Sequence, residues 1–236
     1  MTSPPVLKRF YRHASARPAE GGHTVHLDER QLKTPARALF IVPTAELAEA
    51  AAAEWNAQGE KLDLAAMTLT ALANAAIDRI APDREAFARR LAAYGRNDLL
   101  CYRAASPAEL AARLAKGWQP VLDWLAETHG ARLTLAEGVV HVDQPPEALA
   151  ALERAVLALD PFRLGALHVL TTGMASLGLG LAVAGGLLTA GEAFDLSRLD
   201  EEYQAERWGR DSEAEARTAR IRAEAESAGR FLSLLG

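Results

Sequence analysis

The pattern of apolar and polar positions changes character near Leu64. Before it, "RFYRHASA" and "HTVHLDERQLKTP" alternate apolar with polar residues, and "RPAEGG" separates the two runs. Period-two alternation on either side of a Gly-containing turn predicts a hairpin. "DER", ending at Arg30, predicts a second turn, and "ALFIVP" a further strand closed by Pro43. Thr44 then stands as N-cap to "AELAEAAAAEWNAQ", a helical run ending at Gly59.

Beyond Leu64 the period becomes helical. "TLTALANAAIDRI" stops before Pro82 and "DREAFARRLAAYG" stops at Gly95. In "SPAELAARLAKGWQPVLDWLAETHG", Ser106 reads as N-cap and Pro107 as the first helical residue, and Pro120 should kink or divide the helix. "ARLTLAEGVVHVDQP" reads as a hairpin turning at Glu137–Gly138, after which "PEALAALERAVLAL" restores the helical period. The pattern predicts an α+β fold that is mainly α. A small antiparallel β-rich N-terminal domain with one helix spans residues 1–64, and a larger multi-helical domain spans 65–236.

The uncharged run from Leu170 to Gly191 is long enough to cross a bilayer, which takes about 20 apolar residues. Its glycines and hydroxyl residues, and the lack of flanking aromatic and Lys/Arg clusters, argue against insertion. A helix apolar all round is equally one buried at the centre of a helical domain. That is the reading adopted here, with a break at Gly185 and Gly186.

Charge and motifs then narrow the function classes. The net charge is −5 with both signs intermixed, so the basic footprint of a nucleic-acid binder is missing. The single cysteine, Cys101, excludes an internal disulfide and fits a reducing compartment. "MTSPPVLKRFYRH" lacks the apolar core of a secretory signal, so the expected location is cytoplasmic. "GLGLAVAG" lies in a helical context rather than after a strand, unlike a dinucleotide-binding turn. The histidines show no zinc spacing, Ser176 lies outside a nucleophile elbow, and Cys101 reads as a buried structural thiol. No cofactor or metal is implied. An enzyme reading rests on the acidic cluster at 200–215, used for acid/base chemistry on a small molecule.

"LDEEYQAERWGRDSEAE" carries the candidate site. At about 100° per residue, Leu199 and Tyr203 share one side of a helix, joined later by Ile221, Ala225 and Ala228. Glu201, Gln204, Trp208, Asp211 and Glu215 gather nearly opposite. Glu201 and Glu202 are both expected at the solvent surface. Pairs such as Glu206–Arg210 account for the charges as an ordinary solvated face. They leave unexplained an indole among carboxylates, which is the composition of an interface anchor. Gly209 leaves a second possibility open, that the helix ends there and Trp208 folds back into the core.

Several motifs, in order, resemble the assembly chaperones for the F1 sector of ATP synthase, of the type that attends the α subunit. They are "RFY" at Arg9–Tyr11, "LDERQLKTPAR" at Leu27–Arg37, "LAEAAAAEWNAQ" at Leu47–Gln58 and "MTLTALANAAID" at Met67–Asp78. "DLLCYRA" at Asp98–Ala104, "WQPVLDW" at Trp118–Trp124 and "DEEYQAERWGRDSEAEAR" at Asp200–Arg217 complete the set. The resemblance implies a small β-rich domain followed by a helical one. It implies a binding protein rather than an enzyme, one that binds the unassembled F1-ATPase α subunit and shields the surface that β covers in the finished α/β ring. The free protein is expected to be monomeric. The partner-binding residues carried over are Asp200, Glu201, Glu202, Gln204, Trp208, Asp211 and Glu213, together with Trp55, which stands either at the interface or in the core.

Overall fold

The computed structural model describes residues 7–138, 141–209 and 211–236. The chain forms two compact units, residues 1–82 with 230–236, and residues 83–229.

The first unit opens with β1 (Ala14–Ala19) and β2 (Gly22–Leu27), paired antiparallel from Ala14↔Leu27 to Ala19↔Gly22. Residues 17–19, assigned to the turn from sequence, belong to β1. Pro18 is tolerated because β1 is an edge strand with no ladder on its far side. The other side of β2 is shared by two short strands, β3 (Arg30–Gln31) against its C-terminal half and β4 (Ile41–Val42) against its N-terminal half. Buried Thr24 ties this corner together, donating to the Phe40 carbonyl at 2.6 Å and accepting from Gln31 Nε2 at 3.2 Å.

Helix α1 (Ala45–Asn56) packs on β1 and β2 through Leu47, Ala48, Ala51, Ala52 and Trp55, a stripe at helical spacing. Thr44 caps it, its Oγ1 accepting from the Leu47 N–H, and donates in turn to the Leu234 carbonyl at 2.6 Å. The helix ends at Asn56, short of Gly59, because the Asn56 amide is drawn to the Ala14 backbone by two hydrogen bonds of 2.7–2.8 Å. The expected boundary at 64/65 falls inside this unit for an identifiable reason. Glu54 on α1 accepts from the Leu69 and Thr70 N–H groups and the Thr70 hydroxyl at 2.7–2.8 Å, capping α2 (Thr68–Ala75). After α2 the chain widens into a π-helical turn, Ala76–Ile80.

The second unit begins with α3 (Arg84–Ala92) and reaches buried Asp98. Then come Tyr102–Arg103 (β5) and α4 (Ala108–His129), which closes at left-handed Gly130. One reading of α4 requires correction. Pro107, not Ser106, is the N-cap, with extended dihedrals and a cis Ser106–Pro107 bond. Of the two outcomes expected at Pro120, division is not seen, since the helix continues through it. The expected hairpin at Glu137–Gly138 is also corrected. Ala136–Glu137 (β6) pairs in parallel with β5, and the Gly138 N–H donates to the Arg103 carbonyl at 2.8 Å. The Gln144 amide satisfies both the N–H and the carbonyl of Thr134, so this segment needs no ladder of its own. Val139 and Val140 lie outside the described residues.

Helices α5 (Pro146–Leu157), α6 (Pro161–Met174), α7 (Leu177–Ala184), α8 (Ala190–Ser197), α9 (Leu199–Trp208) and α10 (Ser212–Ser233) follow. Every residue from Leu177 to Val183 is buried, with α4, α6 and α8 as neighbours. The uncharged run is therefore broken at Gly185–Gly186 and also at Ala175 (φ 52) and Ser176, a break the composition did not announce. Among the described residues no helix is long and apolar enough to cross a membrane. The second break is organised by Asp98. Its carboxylate accepts from the Ser176 hydroxyl at 2.7 Å, the Gly178 N–H at 2.8 Å and the Leu100 N–H at 3.0 Å.

Candidate functional site

The acidic-aromatic segment is two helices rather than one. Gly209, at φ 89 and ψ 170, ends α9. Asp211 then opens α10, its Oδ1 accepting from the Glu213 and Ala214 N–H groups at 2.7 and 3.2 Å. Those dihedrals are open essentially to glycine alone. Arg210, and with it the expected Glu206–Arg210 pair, lies outside the described residues.

Helix α9 is fixed to α4 by an aromatic-cationic lattice. Tyr203 is buried, with the guanidinium carbons of Arg207 and Arg113 at 4.4 and 5.3 Å from its ring centroid. Arg113 forms a bidentate pair with Glu206 at 2.8 and 3.0 Å, and Arg207 reaches Glu109 at 2.6 Å. The Tyr203 hydroxyl donates to the same Glu109 at 3.4 Å. Forked guanidinium contacts of this kind fix orientation as well as position. Arg198, at the start of α9, donates to Glu201 and to the Gly173 carbonyl, both at 2.8 Å.

With its Tyr203 side so anchored, α9 turns its other side to a groove of about 340 Å³ shared with α10. Trp208 stands in it at 76% exposure, the largest value among the exposed large hydrophobic residues described. Among the described residues, four carboxylates, Glu201, Glu202, Asp211 and Glu215, line the groove with the indole, against one guanidinium, Arg198. Gln204, Ala205, Gly209, Ala214 and Thr218 complete the walls.

The segment's predicted site residues therefore separate. Glu201, Glu202, Gln204, Trp208 and Asp211 converge on the groove, and Glu215, read as a face residue, joins them. Glu202 is half-buried rather than fully exposed, because the groove folds around it. Asp200 is exposed on α9, accepting from Gln204 at 3.4 Å, and exposed Glu213 lies in the first turn of α10. Arg198 was missed, although a base three residues before Glu201 on one helix is a signal for an ion pair.

Trp55 sits elsewhere, in the first unit, at 9% exposure. Its ring meets that of Tyr11 edge-on at 5.6 Å, and the Tyr11 hydroxyl donates to its carbonyl at 2.6 Å. Cys101 is fully buried in a short 3₁₀ turn, Leu99–Cys101, where desolvation pushes its thiol up to about 12. Among the described residues no group of three or more His, Cys, Asp or Glu side chains could hold a metal ion.

Residues 8–126 match the model of a family described as ATP12 chaperone protein. Atp12 from Paracoccus denitrificans is 47% identical, with a TM-score of 0.93 over 97% of this chain and 98% of that one. A point mutant of that Paracoccus protein superposes with a TM-score of 0.94 at 46% identity, over the same shares of the two chains. The Atu1473 protein of Agrobacterium tumefaciens is 41% identical, with a TM-score of 0.93 over 99% of this chain and 88% of that one.

Proposed function

This chain belongs to the ATP12 family of F1-ATPase assembly chaperones, and on that premise we propose that its client is the unassembled F1-ATPase α subunit. One observation carries the choice of docking surface: an indole exposed at 76% that shares the groove between α9 and α10 with four carboxylates. A bare subunit interface is partly apolar and aggregates when uncovered. Trp208 supplies an apolar anchor for such a surface. Glu201, Glu202, Asp211 and Glu215 complement basic side chains around it and steer the encounter. Asp200 and Glu213 extend the acidic rim, and Gln204 adds a neutral amide to the groove wall. Release needs no nucleotide hydrolysis by the chaperone. When β arrives, the larger α–β interface outcompetes the smaller chaperone contact.

An acid/base enzyme built on the same carboxylates has less support. Asp211 is engaged in capping α10, and Glu201 is paired with Arg198 at the solvent surface. General acids and bases work from desolvated positions that shift their pKa values.

The test is capture of separately expressed α and β subunits on immobilised chaperone. The intact protein retains α and not β. Trp208→Ala weakens α capture by about 30-fold, the loss of a 2 kcal/mol hot spot, with thermal stability unchanged. Glu201→Lys weakens it too. Retention of β in place of α, or undiminished capture by both variants, overturns the proposal.

A further inference from the structure

We infer that the first unit carries a second docking point, built to receive an apolar side chain of an extended client segment together with one of its backbone amides. The place is a cavity of about 520 Å³ bounded by the 33–35 turn, Trp55 of α1, and one face of α2 running into the π-helical turn. The groove at Trp208 lies in the other unit and shares no residue with it.

Two buried polar atoms on its lining residues have no hydrogen-bond partner among the described residues, the Trp55 Nε1–H and the Asn74 Oδ1. Buried polar atoms are nearly always hydrogen-bonded, so such orphans call for an explanation. One is a donor only and the other an acceptor, and a peptide amide offers the complement of both, a carbonyl and an N–H. Apolar residues share the lining with them, Met67 buried, Ala71 and Ala75 along one helix face, and Leu64 more than half exposed at 54%. This combination matches the recognition of an extended peptide, in which main-chain hydrogen bonds supply affinity and a pocket selects the side chain.

The walls are held by their own hydrogen bonds. Asp78, in the π-helical turn, accepts from the Thr34 hydroxyl at 2.6 Å and the Ala36 N–H at 3.0 Å, fixing the 33–35 turn opposite α2. Glu54 anchors the start of α2. π-helical turns inside α-helices are frequent at functional sites, and here the turn contributes Asp78 and Arg79 to the lining. The choice of a protein segment as occupant rests on the chaperone reading. The geometry and its test do not.

The test uses the full-length protein, labelled with ¹⁵N at its tryptophan indoles, and N-acetyl-leucinamide as probe. This molecule is one apolar side chain flanked by amides. The Trp55 indole proton moves downfield, saturably, as the probe is added, and N-acetyl-glycinamide at equal concentration produces no such shift. Ala71→Trp fills the cavity from an exposed helix position and abolishes the response, and Asn74→Leu weakens it. A Trp55 indole that does not respond, or a response that survives Ala71→Trp, overturns the inference. Because the titration contains no α subunit, its outcome is independent of the capture assay. Failure of α capture with an intact indole response removes only the client assignment.

Discussion

Asp98 shows how much one side chain can organise. It is wholly buried, and its carboxylate gathers two backbone N–H groups and a hydroxyl from the 3₁₀ turn that follows it and the start of α7. Asp98→Ala leaves those donors without an acceptor, each at about 1–3 kcal/mol, so urea denaturation should show a loss of about 3 kcal/mol or more. Nothing in "RNDLLC" announces this role, because the groups that Asp98 serves lie far along the chain. Cys101, by contrast, was legible from its apolar neighbours, and its environment sets a pH signature. Burial raises the thiol from its ordinary 9.0 to about 12, so the folded chain holds the proton more tightly than the unfolded one. The stability this contributes is complete below pH 9.0 and is lost as pH rises toward about 12. Cys101→Val should flatten the fall of stability over that window, by up to about 1.4 kcal/mol per pH unit. Alkylation by iodoacetamide at neutral pH should likewise require unfolding.

At the scale of elements, the sequence was most readable where local chemistry decides the outcome. Thr44 caps α1 as its hydroxyl and position demand, and the indole of Trp208 lies on the side of α9 away from Tyr203, as helical periodicity requires. It was least readable where a distant partner decides. β6 joins β5 in parallel across a whole helix, Glu54 caps a helix that follows its own, and the Ala175–Ser176 break depends on Asp98. Gly209 lies between these cases, since its presence flagged an ending but not the dihedrals that turn α10 against α9. Gly209→Ala meets no neighbouring atom within 4 Å, so its cost is backbone strain alone. The expected loss is about 1–3 kcal/mol in denaturant, together with weakened α capture as the groove reshapes. Full stability in that variant would show that the junction does not depend on this geometry.

For the whole molecule, the two-part reading held in character, a small β-rich part and a larger helical one. What local patterns could not convey is that residues 230–236 belong to the first unit. Phe231 and Leu235 are buried there, and the Leu234 carbonyl accepts from Thr44. Deleting the chain after Gly229 removes two large apolar side chains from the interior, at about 3 kcal/mol or more. Hydrogen exchange should quicken across α1 and the sheet, while α7 keeps its protection if that unit is self-sufficient.

The return of the last residues to the first unit also orders events during synthesis. The sheet and α1 leave the ribosome early, but residues 230–236, which complete their unit, follow only after the whole second unit has been made. Until then a nascent chain, or one terminated before Arg230, presents an incomplete N-terminal half that a protease can recognise. Only a chain translated past its second unit can close that half, so this assembly factor carries its own check on how far its synthesis has run.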